Sequence, residues 1–173
     1  MKHRILSLLS GLTISLSVYA AWASPTIVHA QTTPPKITTR LLLTNSSVQR
    51  GHSVRASLVL DIPRGYHVNA HDPVSRFALP TKIEVEAPSG VKIGPVVYPR
   101  AIVRRFTFAE DRLGVYESRA VIRFSIMVPS SQPPGKSEIK TRLSYQSCSD
   151  EVCFPRLNAR SKYRSRSNDA VGR

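Results

Sequence analysis

Two residues carry the chemistry this sequence can offer: Cys148 and Cys153, the only cysteines in 173 residues. They sit in Leu143-Ser-Tyr-Gln-Ser-Cys148-Ser-Asp-Glu-Val-Cys153-Phe-Pro155. Two cysteines this close in sequence pair without steric difficulty, and outside the cytoplasm an even count implies a disulfide. A strand ending at Gln146 delivers Cys148 to a tight loop, and a new strand begins at Phe154, so the pair is expected at a hairpin end. Disulfide exchange requires a thiolate to reach an accessible sulfur and expel another, and a hairpin end permits that approach. The opposing reading is a staple, although closing so short a loop stabilises by only about 2 kcal/mol. Asp150 and Glu151 lie between the cysteines, and their charge disfavours a thiolate. That suits an electron acceptor better than a strong nucleophile. On the residues alone, exchange and staple both stand.

Other constellations are poorer. His67, Asn69, His71 and Asp72 could meet around a metal, but no cysteine joins them at zinc-like spacing, so neither a metal nor any other cofactor is expected. No nucleophile elbow, zinc-protease helix or phosphate loop is present. Asn45-Ser46-Ser47 matches a glycosylation sequon, a pattern too short to carry weight.

The elements that must position the cysteines read as strands. Ile37 to Leu43 is apolar and β-branched. Ser53 to Ile62 alternates with Val54, Ala56, Leu58 and Leu60 on one face. Further strands are expected over Lys82 to Glu86, Val91 to Tyr98, Ala120 to Val128 and Ser137 to Tyr145, where Ile139, Thr141, Leu143 and Tyr145 oppose charge. Pro63-Arg64-Gly65, Pro88-Ser89-Gly90 and Pro129 to Gly135 are turns. Seven or eight short strands with no helical period predict an all-β sandwich or barrel, and a sandwich of immunoglobulin-like type is favoured. Ser161 to Arg173 is rich in Ser, Arg and Lys and is expected to be a disordered basic tail, leaving 31–160 as the domain.

The first thirty residues set the compartment. Lys2, His3 and Arg4 precede an apolar run from Ile5 to Ala21, followed by small residues at Ala21-Trp-Ala23 and Val28-His-Ala30. This is the pattern of a secretory signal peptide, with cleavage expected after Ala30 or, alternatively, Ala23. An uncleaved anchor is the competing reading, the run being at the short end of what spans a bilayer. The remainder has the size of one ordinary domain. With 25 Lys and Arg against 11 Asp and Glu, the formal net charge is +14. Such a balance attracts nucleic acid, anionic lipid or acidic proteins. Export argues against nucleic acid, so an anionic membrane surface reached through the basic tail, an acidic partner, or a merely soluble basic surface remain.

Several patches resemble one family. Gly65-Tyr66-His67-Val68-Asn69-Ala70-His71-Asp72-Pro73, then Leu79-Pro80-Thr81 and Gly94-Pro95-Val96-Val97-Tyr98-Pro99, and above all Tyr145-Gln146-Ser147-Cys148 with Asp150, Cys153 and Pro155, are similar to the N-terminal periplasmic domain of the thiol:disulfide interchange protein DsbD. The match runs from about Thr39 to Arg160. The resemblance implies an immunoglobulin-like fold with Cys148 and Cys153 as a redox-active pair, Cys153 being the sulfur that partners engage first. Tyr145, Asp150, Glu151, Phe154, Tyr66 and Asn69 would surround it. The implied partners are thioredoxin-like proteins fed by a membrane electron carrier, and exported disulfide-containing proteins such as disulfide isomerases and cytochrome c maturation factors. Family members continue into a membrane segment and a thioredoxin-like domain, whereas this sequence ends at Arg173, so a stand-alone module is expected. Members also shield the disulfide with an aromatic-bearing cap loop. The comparable tip here, Glu110, Asp111, Arg112, Leu113 and Gly114, carries no aromatic; Phe106, Phe108 and Tyr116 flank it, and core packing is expected for Phe106 and Phe108.

Overall fold

The computed structural model describes residues 33–168. The expected signal peptide lies outside these residues. Within them every regular element is a strand: β1 (Thr38–Leu43), β2 (Ser47–Gln49), β3 (Ser53–Asp61), β4 (His67–Asn69), β5 (Lys82–Glu86), β6 (Lys92–Ile93), β7 (Ile102–Arg104), β8 (Leu113–Glu117), β9 (Arg119–Met127), β10 (Gly135–Tyr145), β11 (Ser147–Cys148) and β12 (Leu157–Asn168). No helix among the described residues is long and apolar enough to cross a membrane.

Alternation explains two of the three sheets. In the sheet ordered β1-β3-β9-β6, Val54, Ala56, Leu58 and Leu60 of β3 and Ala120, Ile122, Phe124 and Ile126 of β9 are buried. In the sheet ordered β2-β12-β10-β5, Ile139, Thr141, Leu143 and Tyr145 of β10 point inward. The apolar members of both sets, joined by Ile83, Val85 and Tyr163, form one core cluster. Period-two faces packed on each other make an immunoglobulin-like β-sandwich.

The third sheet, ordered β11-β4-β8-β7, is built from continuations of the other two. The chain leaves β3 through Pro63-Arg64-Gly65, where Gly65 has φ +81°, and enters β4. β8 runs into β9 across Ser118, whose φ of +56° makes the corner, and its carbonyl accepts from Ile62 N at 2.8 Å. β10 passes into β11 across Gln146 alone. Strands from both layers therefore converge at the end of the sandwich that holds the cysteines.

Three expectations need correction. Val91 to Tyr98 forms only β6 and a single bridge from Val97 to Arg123, because Pro95 supplies no N–H to continue a ladder. The basic stretch read as a tail is strand through Asn168: β12 pairs with β10 from Tyr145↔Leu157 to Gly135↔Ser167. Tyr163 reaches the core, and the Ser161 hydroxyl donates to Thr39 O at 3.1 Å. One aromatic and one hydroxyl suffice to hold a strand that composition alone assigns to solvent. Finally, the described residues form twelve strands, the additional ones being mostly too short for a periodic signal.

Candidate functional site

Register places the site. β11 pairs with β4 as Ser147↔Val68 and Cys148↔His67, and β4 pairs with β8 as His67↔Glu117 and Asn69↔Val115. Because side chains alternate, Val68 and Ser147 face inward while Cys148, Gln146, His67, Asn69 and Val115 share the other face. Cys148 and Cys153 form a disulfide with Cα atoms 4.0 Å apart. They are a cross-strand pair flanked by two hydrogen bonds, Phe154 N to Ser147 O at 2.9 Å and Ser149 N to Val152 O at 2.8 Å. The Ser149 hydroxyl accepts from Glu151 N and Val152 N, both at 3.2 Å, closing the turn.

The two sulfur-bearing residues differ in access. Cys148 is 0% exposed. Cys153 is half-buried and opens into a cleft of about 1060 Å³. One wall is the loop holding Val74, Ser75 and Phe77; the other is the segment from Arg105 to Arg112; Asn69 and Gln146 also line it. Ser75 Oγ donates to Asp111 Oδ2 at 2.9 Å, joining the walls.

A hydrogen-bonded chain fixes the hairpin to β4. Gln146 Nε2 donates to Phe154 O at 3.0 Å, and Asn69 Nδ2 donates to Gln146 Oε1 at 3.0 Å and to Leu79 O at 3.3 Å. Beside it, the ring of His67 stacks on Phe106 with centroids 4.1 Å apart, and Phe106 lies 5.3 Å from Phe108. Burial of the imidazole pushes its pKa down to about 4; Asp150 pulls it up and Arg104 adds to the lowering. The turn at Phe106–Ala109 is tied to the hairpin tip by Thr107 Oγ1 donating to Asp150 O at 3.0 Å.

The residues expected around the disulfide separate on this geometry. Asn69 lines the cleft. Tyr66 and Phe154 pack together beside the hairpin, rings 6.2 Å apart, and Asp150 and Glu151 are exposed at its tip. Tyr145 instead belongs to the sandwich core, where burial raises the pKa of its hydroxyl. In the cap region, Glu110, Asp111 and Arg112 form an exposed loop, whereas Leu113 and Gly114 are buried in β8. Gly114 leaves no room for a side chain: a Cβ there would lie 2.8 Å from Asp72 O. Phe106 and Phe108 lie apart from the main core, in a satellite cluster with Leu113 and Val115 that covers the site face. Core packing, the expectation for them, holds, Phe106 being buried and Phe108 packed against it, but the core they join is this second cluster and not that of the sandwich.

His67 and His71, read as candidate metal ligands, part company: His71 stacks on Tyr98 at 3.8 Å. Among the described residues no group of three or more His, Cys, Asp and Glu could hold a metal. Sequence reasoning missed the roles of Gln146, Phe106 and Thr107, and the seating of His67 against Cys148. The alternation Gln146/Cys148 opposite His67/Asn69 was the available signal, but only once β4 and β11 are known to pair.

The fold and site define a disulfide-bearing immunoglobulin-like domain with one covered and one accessible cysteine. Residues 39–164 match the family described as thiol:disulfide interchange protein DsbD, N-terminal, and the chain belongs to that family. No curated protein sequence matches it. Among solved structures it is similar to the reduced DsbD N-terminal domain of Neisseria meningitidis, with 16% identity over 75% of this chain and 90% of that one, TM-score 0.42. It is similar too to the DsbD N-terminal domain in complex with the PilB N-terminal domain from the same organism, with 17% identity over 78% and 87%, TM-score 0.41. The N-terminal periplasmic domain of ScsB from Proteus mirabilis gives 12% identity over 71% of this chain and 44% of that one, TM-score 0.48.

Proposed function

We propose that this protein is an exported thiol–disulfide exchange module, a protein-disulfide reductase component that carries electrons through Cys148 and Cys153. The observation that carries the reading is the unequal access of the two cysteines within a family of thiol:disulfide interchange domains. A donor thiolate enters the cleft and attacks Cys153 Sγ; the intramolecular S–S bond breaks and Cys148 leaves as a thiolate that takes up a proton. The donor's second thiolate then attacks its own sulfur in the mixed disulfide, leaving the donor oxidised and this pair a dithiol. Run backwards against an oxidised acceptor, the same steps pass two electrons on. Thioredoxin-like proteins fed by a membrane electron carrier are the donors in this reading, and exported disulfide-containing proteins the acceptors. The leader, cleaved after Ala30 or Ala23, places the module in the periplasm.

The test is the equilibrium reduction potential of the pair in a thiol redox buffer, read by thiol trapping. Structural disulfides of secreted proteins lie below about −300 mV and labile ones above. A value above that line, with a mixed disulfide trapped on Cys153 by a thioredoxin-like protein in Cys148→Ser, supports exchange. A value well below it, with no trapped adduct, leaves a binding module with a structural staple.

A further inference from the structure

The outward face of the β5-β10-β12 sheet carries a charge arrangement that folding does not call for. Lys140 stands opposite Lys162, and Arg142 opposite Arg160. Like charges facing each other across antiparallel strands destabilise the pair, and here two such pairs are adjacent on one face. All four side chains are exposed. Glu84 meets Arg142 at 3.7 Å from the β5 side, and Glu138 meets Lys140 at 3.7 Å. Arg160 and Lys162 form no salt bridge with a described residue. Between the four cations lies a cleft of about 440 Å³ whose one acidic lining residue is Glu86.

We infer that this face is a docking surface for anionic phospholipid headgroups, the cleft accepting a phosphate. Three features favour a lipid surface. Cations extend along the strands past Glu138, which pairs with Arg164 at 3.1 Å, to Lys136, and the seven residues of strand from Lys136 to Arg142 span roughly 20 Å, more than one small anion occupies. None of the exposed large apolar residues lies on β5, β10 or β12, so the face lacks the apolar centre of a protein–protein interface. The surface is a sheet face, broad enough to meet many headgroups at once, and charge alone holds a protein to such a surface. Cys148 follows the end of β10 by three residues, so the exchange hairpin stands beyond the end of the docked face. The inference rests on charge and register and is independent of the thiol chemistry.

The bland counterpart is that cations on the part of β12 beyond its short pairing with β2 merely deter strand addition. The described residues from Thr33 onward belong to a compact unit of their own, so residues 33–173 can be tested without the apolar leader. Co-sedimentation is measured with phosphatidylglycerol/phosphatidylcholine vesicles, and with phosphatidylcholine alone, for the wild type, for R160E/K162E and for R55E/R123E. The last makes the same charge change on the outward face of the other layer. Binding to the anionic vesicles only, weakened about tenfold or more by R160E/K162E and about threefold or less by R55E/R123E, is the expected result. R160T/K162T, which favours strand, repeats the measurement if charge reversal impairs folding. The inference is overturned if the wild type does not sediment with anionic vesicles, or if both double variants lose binding equally. Displacement by inorganic phosphate or by duplex DNA at matched phosphate concentration overturns it as well, reassigning the cleft to a free anion or to nucleic acid.

Discussion

The sandwich interior and the disulfide-bearing sheet bury strands of opposite character. Between the two large sheets the filling is Leu58, Leu60, Ile122, Ile126 and Leu143, each at most 2% exposed, and Thr141 is the one buried polar residue on the inward positions of β3, β9 and β10. In the small sheet the buried residues include His67, Asn69 and Ser147. Their Nε2, Oδ1 and Oγ are the buried side-chain atoms without a hydrogen-bond partner among the described residues. Leaving such a group unsatisfied costs roughly 1–3 kcal/mol, and native domains keep such groups few. The apolar sandwich supplies the stability, and the polar sheet spends some of it around Cys148. Under the proposed exchange function, reactivity and stability fall to different sheets connected by shared strands.

Substitutions in the two regions should separate function from stability in opposite senses. The largest effect is expected from Cys148→Ser and Cys153→Ser: exchange activity disappears, while the melt reports only about 2 kcal/mol, because the loop that the bond closes is short. If either variant unfolds instead, the small sheet is a structural element and the division fails. Leu58→Ala should do the reverse. Leu58 is 0% exposed, so truncation costs about 2–5 kcal/mol in transfer and cavity energy. The reduction potential, measured while the protein is folded, should stay at the wild-type value.

His67 sharpens the comparison through pH. Its folded pKa, about 4, lies below the ordinary 6.5. Above pH 6.5 neither folded nor unfolded imidazole is charged, and the full stability is present. As pH falls from 6.5 to 4 the unfolded chain takes up a proton that the folded one does not, so stability drops. Below pH 4 this contribution no longer changes. The loss amounts to at most about 3 kcal/mol. His67→Phe, which keeps a ring against Phe106, should flatten the denaturation free energy across that window. An unaltered pH slope would mean that the imidazole is not buried as a neutral ring beside Cys148.

What could be read in advance follows the same division. The long strands of the sandwich show themselves because Ser53–Asp61, Arg119–Met127 and Gly135–Tyr145 each hold nine or more residues of alternation. The cysteine hairpin was legible from Tyr145-Gln-Ser-Cys148 and from the family resemblance. β4, β7 and β11 have two or three residues each, too few for any period to emerge. Their pairing is set by where β3, β9 and β10 end. Phe106 and Phe108 pack in a core as expected, but an apolar ring does not say which cluster it joins. The basic end of β12 misled because Tyr163, which joins it to the core cluster, stands among Ser, Arg and Lys residues. In both places, composition described the residue and tertiary pairing decided its role.

The smallest expected effect tests how the cover is fastened. Thr107 contributes a single hydrogen bond, from its hydroxyl to the Asp150 carbonyl, in an exposed setting. Thr107→Val keeps the β-branched shape and removes the donor, which is worth about 0.5–1.5 kcal/mol. Global stability should change by no more than that. The informative readout is local: if this bond holds the Phe106–Ala109 turn against the cysteine hairpin, a small thiol should reduce the disulfide several-fold faster in the variant. Phe108→Ala, which removes part of the wall beside Cys153, should accelerate it further. Equal rates in wild type and both variants would show that the aromatic segment does not limit access to Cys153. The cleft would then be an open approach, with the Phe106–His67 stack serving only to bury Cys148.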